Sequence, residues 1–264
     1  MTHLIKSGLK VVAAVPEHAF SYAKALKDID VISKRHKLTV ADMPLAILAI
    51  CSNYDLRKDI RPGAIDVASA EYYGIRDDNH SYEIWHSTGS LTTLQGLEHA
   101  ITEDKHDFFN ITAAEWHDIG NGSFNGADVP RYHLYDIKKG ESPKPGKPHT
   151  IFVRPDKDKP NINPNPFQKL EYGPFMNNDR VLMIAGSLEG REMIANMLFG
   201  REGKYTEKNY YVGNHHRIKS QAFEETPKGS PLFLDERDGG FKHQPYFNGA
   251  HRFIAASQTL LQPK

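Results

Sequence analysis

Apolar residues recur at every third position through Phe20, Ala23, Leu26, Ile29 and Ile32, with lysines and aspartates between them. That spacing lays one apolar stripe along a helix ending near His36. Pro16 stands ahead of it, at a place where a missing N–H costs a first turn nothing. A second helix is signalled by Asp42 as N-cap, Pro44 just inside, and the unbroken apolar run Leu45 to Ile50. A helix apolar on all sides belongs in an interior, so this one is expected to be buried, with Cys51 at its C-terminal end. The first 60 residues thus read as helical, and Arg61-Pro62-Gly63 breaks the pattern.

Ala64 to Gly74 fits helix or strand equally. Ser81 to His86 alternates as a short strand, with Tyr82, Ile84 and His86 on one face. Leu91, Leu94, Leu97 and Ile101 favour a helix. Thr112 to Ile119 favours another, because Thr112 and Glu115 stand at capping-box spacing and Gly120-Asn121-Gly122 follows. Between residues 138 and 166 lie seven of the 16 prolines, a density that excludes long helices and central strands, and only Thr150 to Val153 reads as strand there. Beyond it, Arg180 to Ala185 reads as a buried strand and Gly190 to Phe199 as a helix closed by Gly200. Tyr205 to Val212 and Pro231 to Leu234 read as strands. The expected fold class is α+β, a helical N-terminal part followed by a mixed, β-containing C-terminal part. The expected organisation is a lobe over 1–137, a Pro-rich connector or surface loop over 138–166, and a second lobe over 167–264.

Composition narrows the partners more than the fold. Lys+Arg and Asp+Glu are both 33, so the net charge is zero and no bulk attraction to nucleic acid or membrane surfaces is implied. No stretch approaches the ~20 apolar residues of a membrane span. Cys51 is the one cysteine, so no intramolecular disulfide forms, and a reducing, cytoplasmic setting is the simplest expectation. The N-terminal apolar run is short and interrupted by Lys10, unlike a signal peptide. Export by a signal-independent route stays open. A chain of 264 residues needs neither disulfide nor metal to build a core.

Candidate chemistry concentrates where histidines do. Seven of the 14 lie between His80 and His149, and imidazole is both the side chain titrating nearest neutral pH and the commonest metal ligand. Glu115-Trp116-His117-Asp118-Ile119-Gly120 resembles the His-Asp-Ile-Gly signature of the HD-domain phosphohydrolases, in which an earlier histidine precedes the pair by about thirty residues. His86 precedes His117 by 31 residues here. The resemblance covers only Trp85 to Gly120. It implies a divalent metal held by His86, His117 and Asp118, and a phosphate-ester hydrolase whose metal-bound water is the nucleophile. A further aspartate ligand would be Asp128, Asp136, Asp156 or Asp158. The substrate would be a small or phosphate-bearing molecule.

Two alternatives stand beside that reading. Trp85-His86-Ser87-Thr88 and Asp107-Phe108-Phe109-Asn110 resemble parts of the histidine-type ADP-ribosyltransferases. That resemblance implies an NAD site with His86 and Thr88 on the dinucleotide and Phe108 or Phe109 on its ring. The third reading is a non-enzymatic binding or assembly protein whose exposed loops carry the contacts. Elsewhere, His251-Arg252 could fork onto phosphate, though a solvated loop is the plainer reading. His215-His216-Arg217, with Asn248 far downstream, does not fit a compact metal finger. Asp77-Asp78-Asn79-His80 reads as a turn, and Cys51 as a buried structural thiol.

Overall fold

In the computed structural model of the protein, residues 2–7, 10–16, 19, 21–53, 65–76, 79–86, 109–124, 127–162, 169–200, 210–211, 227–235, 240–243 and 251–257 are described. The arrangement is α+β. Two strands open the chain before any helix: β1 (His3–Ser7) and β2 (Lys10–Val15) pair antiparallel as a hairpin. In that stretch the helical reading gives way to a period of two. The two expected helices follow at their places, α1 (Tyr22–His36) capped by Ser21 and α2 (Met43–Ser52) capped by Asp42. Between them β3 (Thr39–Val40) joins the hairpin through β15 (Ala255–Ala256), so the C-terminal segment closes the first sheet.

A second sheet forms the centre. It is ordered β14 (Gly240–His243), β13 (Lys228–Asp235), β4 (Ile65–Arg76), β5 (Asn79–His86), β10 (His149–Val153), β9 (Arg131–His133), with β6 (Phe109–Asn110) also paired to β13. The strand expected inside the Pro-rich segment is β10. It runs antiparallel to β5 and parallel to β9. Both faces of β4 are buried, which explains why its sequence lacks a clean alternation. One face carries Ile65, Val67 and Tyr73 into a core shared with α2, α7 (Asp179–Ala185) and α8 (Leu188–Phe199). The other carries Ala68, Ala70 and Tyr72 into a core shared with α1, Phe253 and α3 (Ala113–Asn121).

The expected strand over Arg180 to Ala185 is instead helix α7. The Asn178 side chain caps it by accepting from the amides of Arg180 and Val181, and Gly186, at φ 74°, ends it. All seven residues of α7 are buried, so no polar face marks a period, and a short apolar run alone does not separate strand from helix. The remaining described elements are short. They are β7 (Ser123–Phe124), β8 (Ala127–Asp128), α4 (Leu134–Lys138), α5 (Pro155–Asp158), β11 (Lys169–Leu170), α6 (Tyr172–Met176) and β12 (Tyr210–Tyr211).

Candidate binding surface

His117 and Asp118 lie on α3. The capping box foreseen for this helix is complete, with the Thr112 hydroxyl accepting from the Glu115 amide and the Glu115 carboxylate accepting from the Thr112 amide. Trp116, Ile119 and Gly120 are its buried side, so His117 and Asp118 fall on the solvent side. The Asn121 amide donates to His117 Nε2 at 2.8 Å, one turn along the same helix. His86 ends β5, where it stands in register with Ser69 on β4 and with His149 on β10. Ser69 accepts from the Met43 amide at the start of α2, which packs on one side of the sheet. Helix α3 packs on the opposite side.

The metal-dependent hydrolase is therefore corrected. Among the described residues no group of three His, Cys, Asp or Glu side chains is placed to hold a metal ion. The candidate fourth ligands are spread out. Asp128 is exposed, Asp136 caps α4 at its third position, and Asp158 pairs with His133 at 2.8 Å. The His-Asp-Ile-Gly match is carried by a nine-residue helix that ends at Gly122 (φ 74°) and leads into strands, not into a helical bundle. For the dinucleotide reading, Ser87, Thr88 and Phe108 lie outside the described residues, as do Asp77, Asp78, His215, His216, Arg217 and Asn248.

What the structure does gather is charge, inside the sheet. Glu71 receives Arg180 on the α2 side. Glu83, fully buried, receives Arg131 Nη2 at 2.5 Å. Arg131 also donates to the Gly120 carbonyl at the end of α3 and lies 4.1 Å over the Phe152 ring, so one guanidinium ties β9, β5, β10 and α3. Asp66 holds His251 Nδ1 at 3.2 Å and accepts from the Arg252 amide, fixing the C-terminal segment to the start of β4. His251 and Arg252, read above as solvated, are buried. His149 gives its Nδ1 to the Lys147 carbonyl, and burial pushes it down to about 4, so it stays neutral at neutral pH. These groups are partnered within the fold, which makes them positioning elements. Sequence reasoning missed the pairings of Glu83, Glu71 and Asp66 because their partners lie 48 to 186 residues away.

The sheet also sets where the longer segments attach. β13 pairs with β6 through Lys228 and Gly229 and with β14 through Leu232 to Asp235. Residues 87–108, which lead into β6, and 244–250, which leave β14, therefore join the same edge of β13. Only Ser230 and Pro231 separate the two attachments, and Pro231 has no N–H to offer a neighbour. Residues 236–239 connect β13 to β14 in the chain.

No family model matches the chain, and no curated protein is significantly similar to it in sequence. Its fold does match a solved structure described as "Accommodation of massive sequence variation in Nanoarchaeota by the C-type lectin fold". The TM-score is 0.62 at 13% identity, over 92% of this chain and 97% of that one. Likeness at that identity speaks for the fold alone: this chain is built on the C-type lectin fold.

Proposed function

We propose that this chain is a binding protein whose β-sheet scaffold presents variable surface segments to a ligand. The observation that carries the reading is the C-type lectin fold, matched along nearly the whole length of both chains. The described neighbour accommodates massive sequence variation on that fold. The same division of labour suits this chain, because its buried ion pairs hold the strands independently of the segments that join them. Contacts then fall to residues 87–108, 236–239 and 244–250, carried by a rigid sheet. Cys51, the one cysteine, is consistent with a reducing compartment. Among the described residues no helix is long and apolar enough to cross a membrane.

The test has two arms. Randomising 236–239 and 244–250 together is expected to leave most variants protease-resistant, whereas randomising Ser69, Glu71 and Glu83 is expected to leave few. Purified native chain is then screened on glycan and peptide arrays. The best ligand is expected to be lost in Tyr246→Ala or Asn248→Ala with an unchanged melting temperature. The proposal fails if the library over these two segments unfolds as readily as the scaffold library, or if ligand affinity is indifferent to every substitution in these segments.

A further inference from the structure

A half-open cleft of about 190 Å³ lies between α2, the α7–α8 junction and residues 142–145. Pro44, Ile47 and Met193 give it apolar lining, and Ser142, Pro143 and Ser187 line it as well. We propose that residues 142–146 are a movable wall of this cleft, latched by the carboxyl group of Asp42 and released according to whether that group carries a proton.

The latch is geometric. Asp42 Oδ1 accepts from the Leu45 amide at 2.8 Å, which is the cap of α2 and stays within one turn. Asp42 Oδ2 accepts from the Gly146 amide at 2.8 Å, a bond between segments 104 residues apart. Pro143 and Pro145 have no N–H with which to hold the wall, and the bond from Lys147 to the Lys144 carbonyl stays inside it. Gly146 sits at φ 73°, a conformation that suits glycine and aims its amide at the helix. Pro143 of the wall passes close to Gly186. A side chain there would meet Pro44 at 2.8 Å, with Pro143 at 3.8 Å.

Asp42 is 2% exposed, and burial lifts it to about 7 against the two amides, which pull it down. Opening the wall admits water to Oδ2 and returns the carboxyl toward its ordinary range. The open form thus binds the proton more weakly, and raising the pH through 7 favours opening. The charged and titratable groups on the surrounding elements are few. Lys144 and Lys147 on the wall are exposed, and His149 beyond it is engaged by the Lys147 carbonyl. On β4, Asp66 is held by His251 and Glu71 by Arg180. On α7, Asp179 is held by Lys138, and across the cleft Glu189 opens α8 at the surface. α2 itself carries no other charge.

Hydrogen exchange on the intact protein tests this, with rates expressed as protection relative to an unstructured amide. Protection at Gly146 is expected to fall about tenfold between pH 6 and pH 8, while Leu45, buried in the helix, keeps its protection. Asp42→Asn retains a cap acceptor and is expected to show equal protection at both pH values. Asp42→Ser, which caps but is too short to reach Gly146, is expected to show low protection there at both. Protection at Gly146 that ignores pH in the native protein overturns the proposal. So does a pH response that survives in Asp42→Asn, or a parallel loss at Leu45, which would mean global unfolding.

Discussion

Arg180 and Glu71, 109 residues apart in sequence, meet as a two-pronged ion pair in the interior, Nε to Oε1 at 2.7 Å and Nη2 to Oε2 at 2.8 Å. Neither side chain reaches solvent, at 1% and 0% exposure. The pair joins α7 to the central strand β4. Its worth lies in registry more than in net stability, because taking two charges out of water costs about what their attraction returns. Breaking it is a different matter, since the survivor is a buried charge without its counter-ion. Glu71→Ala and Arg180→Ala are each expected to cost about 3–5 kcal/mol, read as a shift in urea midpoint. The apolar double replacement Glu71→Leu with Arg180→Met is expected to recover most of that loss. A double variant as unstable as the two single losses summed would refute this account.

The helix that carried the metal expectation offers a sharp contrast between neighbouring positions. Trp116 packs beneath β4 at 5% exposure, while His117 and Asp118 face solvent. Trp116→Ala is expected to destabilise by about 3–5 kcal/mol. His117→Ala and Asp118→Ala are expected to stay within about 0.5 kcal/mol of native, as surface substitutions do. Calorimetric unfolding of the three variants decides it, and a large loss at His117 would show that the helix side has been misassigned.

Gly74 makes that packing possible. A Cβ at this position would stand 2.8 Å from both the Trp116 ring and the Pro227 side chain. Gly74→Ala therefore overpacks a buried junction and is expected to cost about 1–3 kcal/mol. Combining it with Trp116→Leu should recover part of that loss, because the ring is then gone. Additive losses in the pair would place the strain elsewhere.

Two buried groups give the stability a pH dependence that largely cancels. Asp42 is raised to about 7, so its contribution is full below the ordinary carboxylate range and is lost as pH rises through 7. His149 is lowered to about 4, so its contribution is full above the ordinary histidine range and is lost as pH falls through 4. Between roughly pH 4 and 6.5 the two slopes, each at most about 1.4 kcal/mol per pH unit, oppose one another. Native stability is expected to be nearly flat there. Asp42→Asn should expose the histidine, with stability falling by about 3 kcal/mol on acidification from pH 6.5 to 4. His149→Gln should expose the carboxyl, with stability rising by about 3 kcal/mol from pH 7 to 4. Urea midpoints at four pH values for the three proteins check both signs, and parallel profiles for all three would contradict them.

Local spacing along the chain was enough to read what lies within a turn or two of a residue. Asp42 capped α2, Thr112 and Glu115 closed the capping box of α3, and Gly122 and Gly200 followed α3 and α8, because caps and stripes are set by spacings of three and four. The α+β class followed from such local signals. The tertiary structure decided the rest. It drew strands from opposite ends of the chain into one sheet, made Arg180 to Ala185 a helix, and buried Glu71, Glu83 and Asp66 against partners 48 to 186 residues away. A distance along the chain limits how far apart two side chains can be, but only the pairing of strands fixes whether they meet.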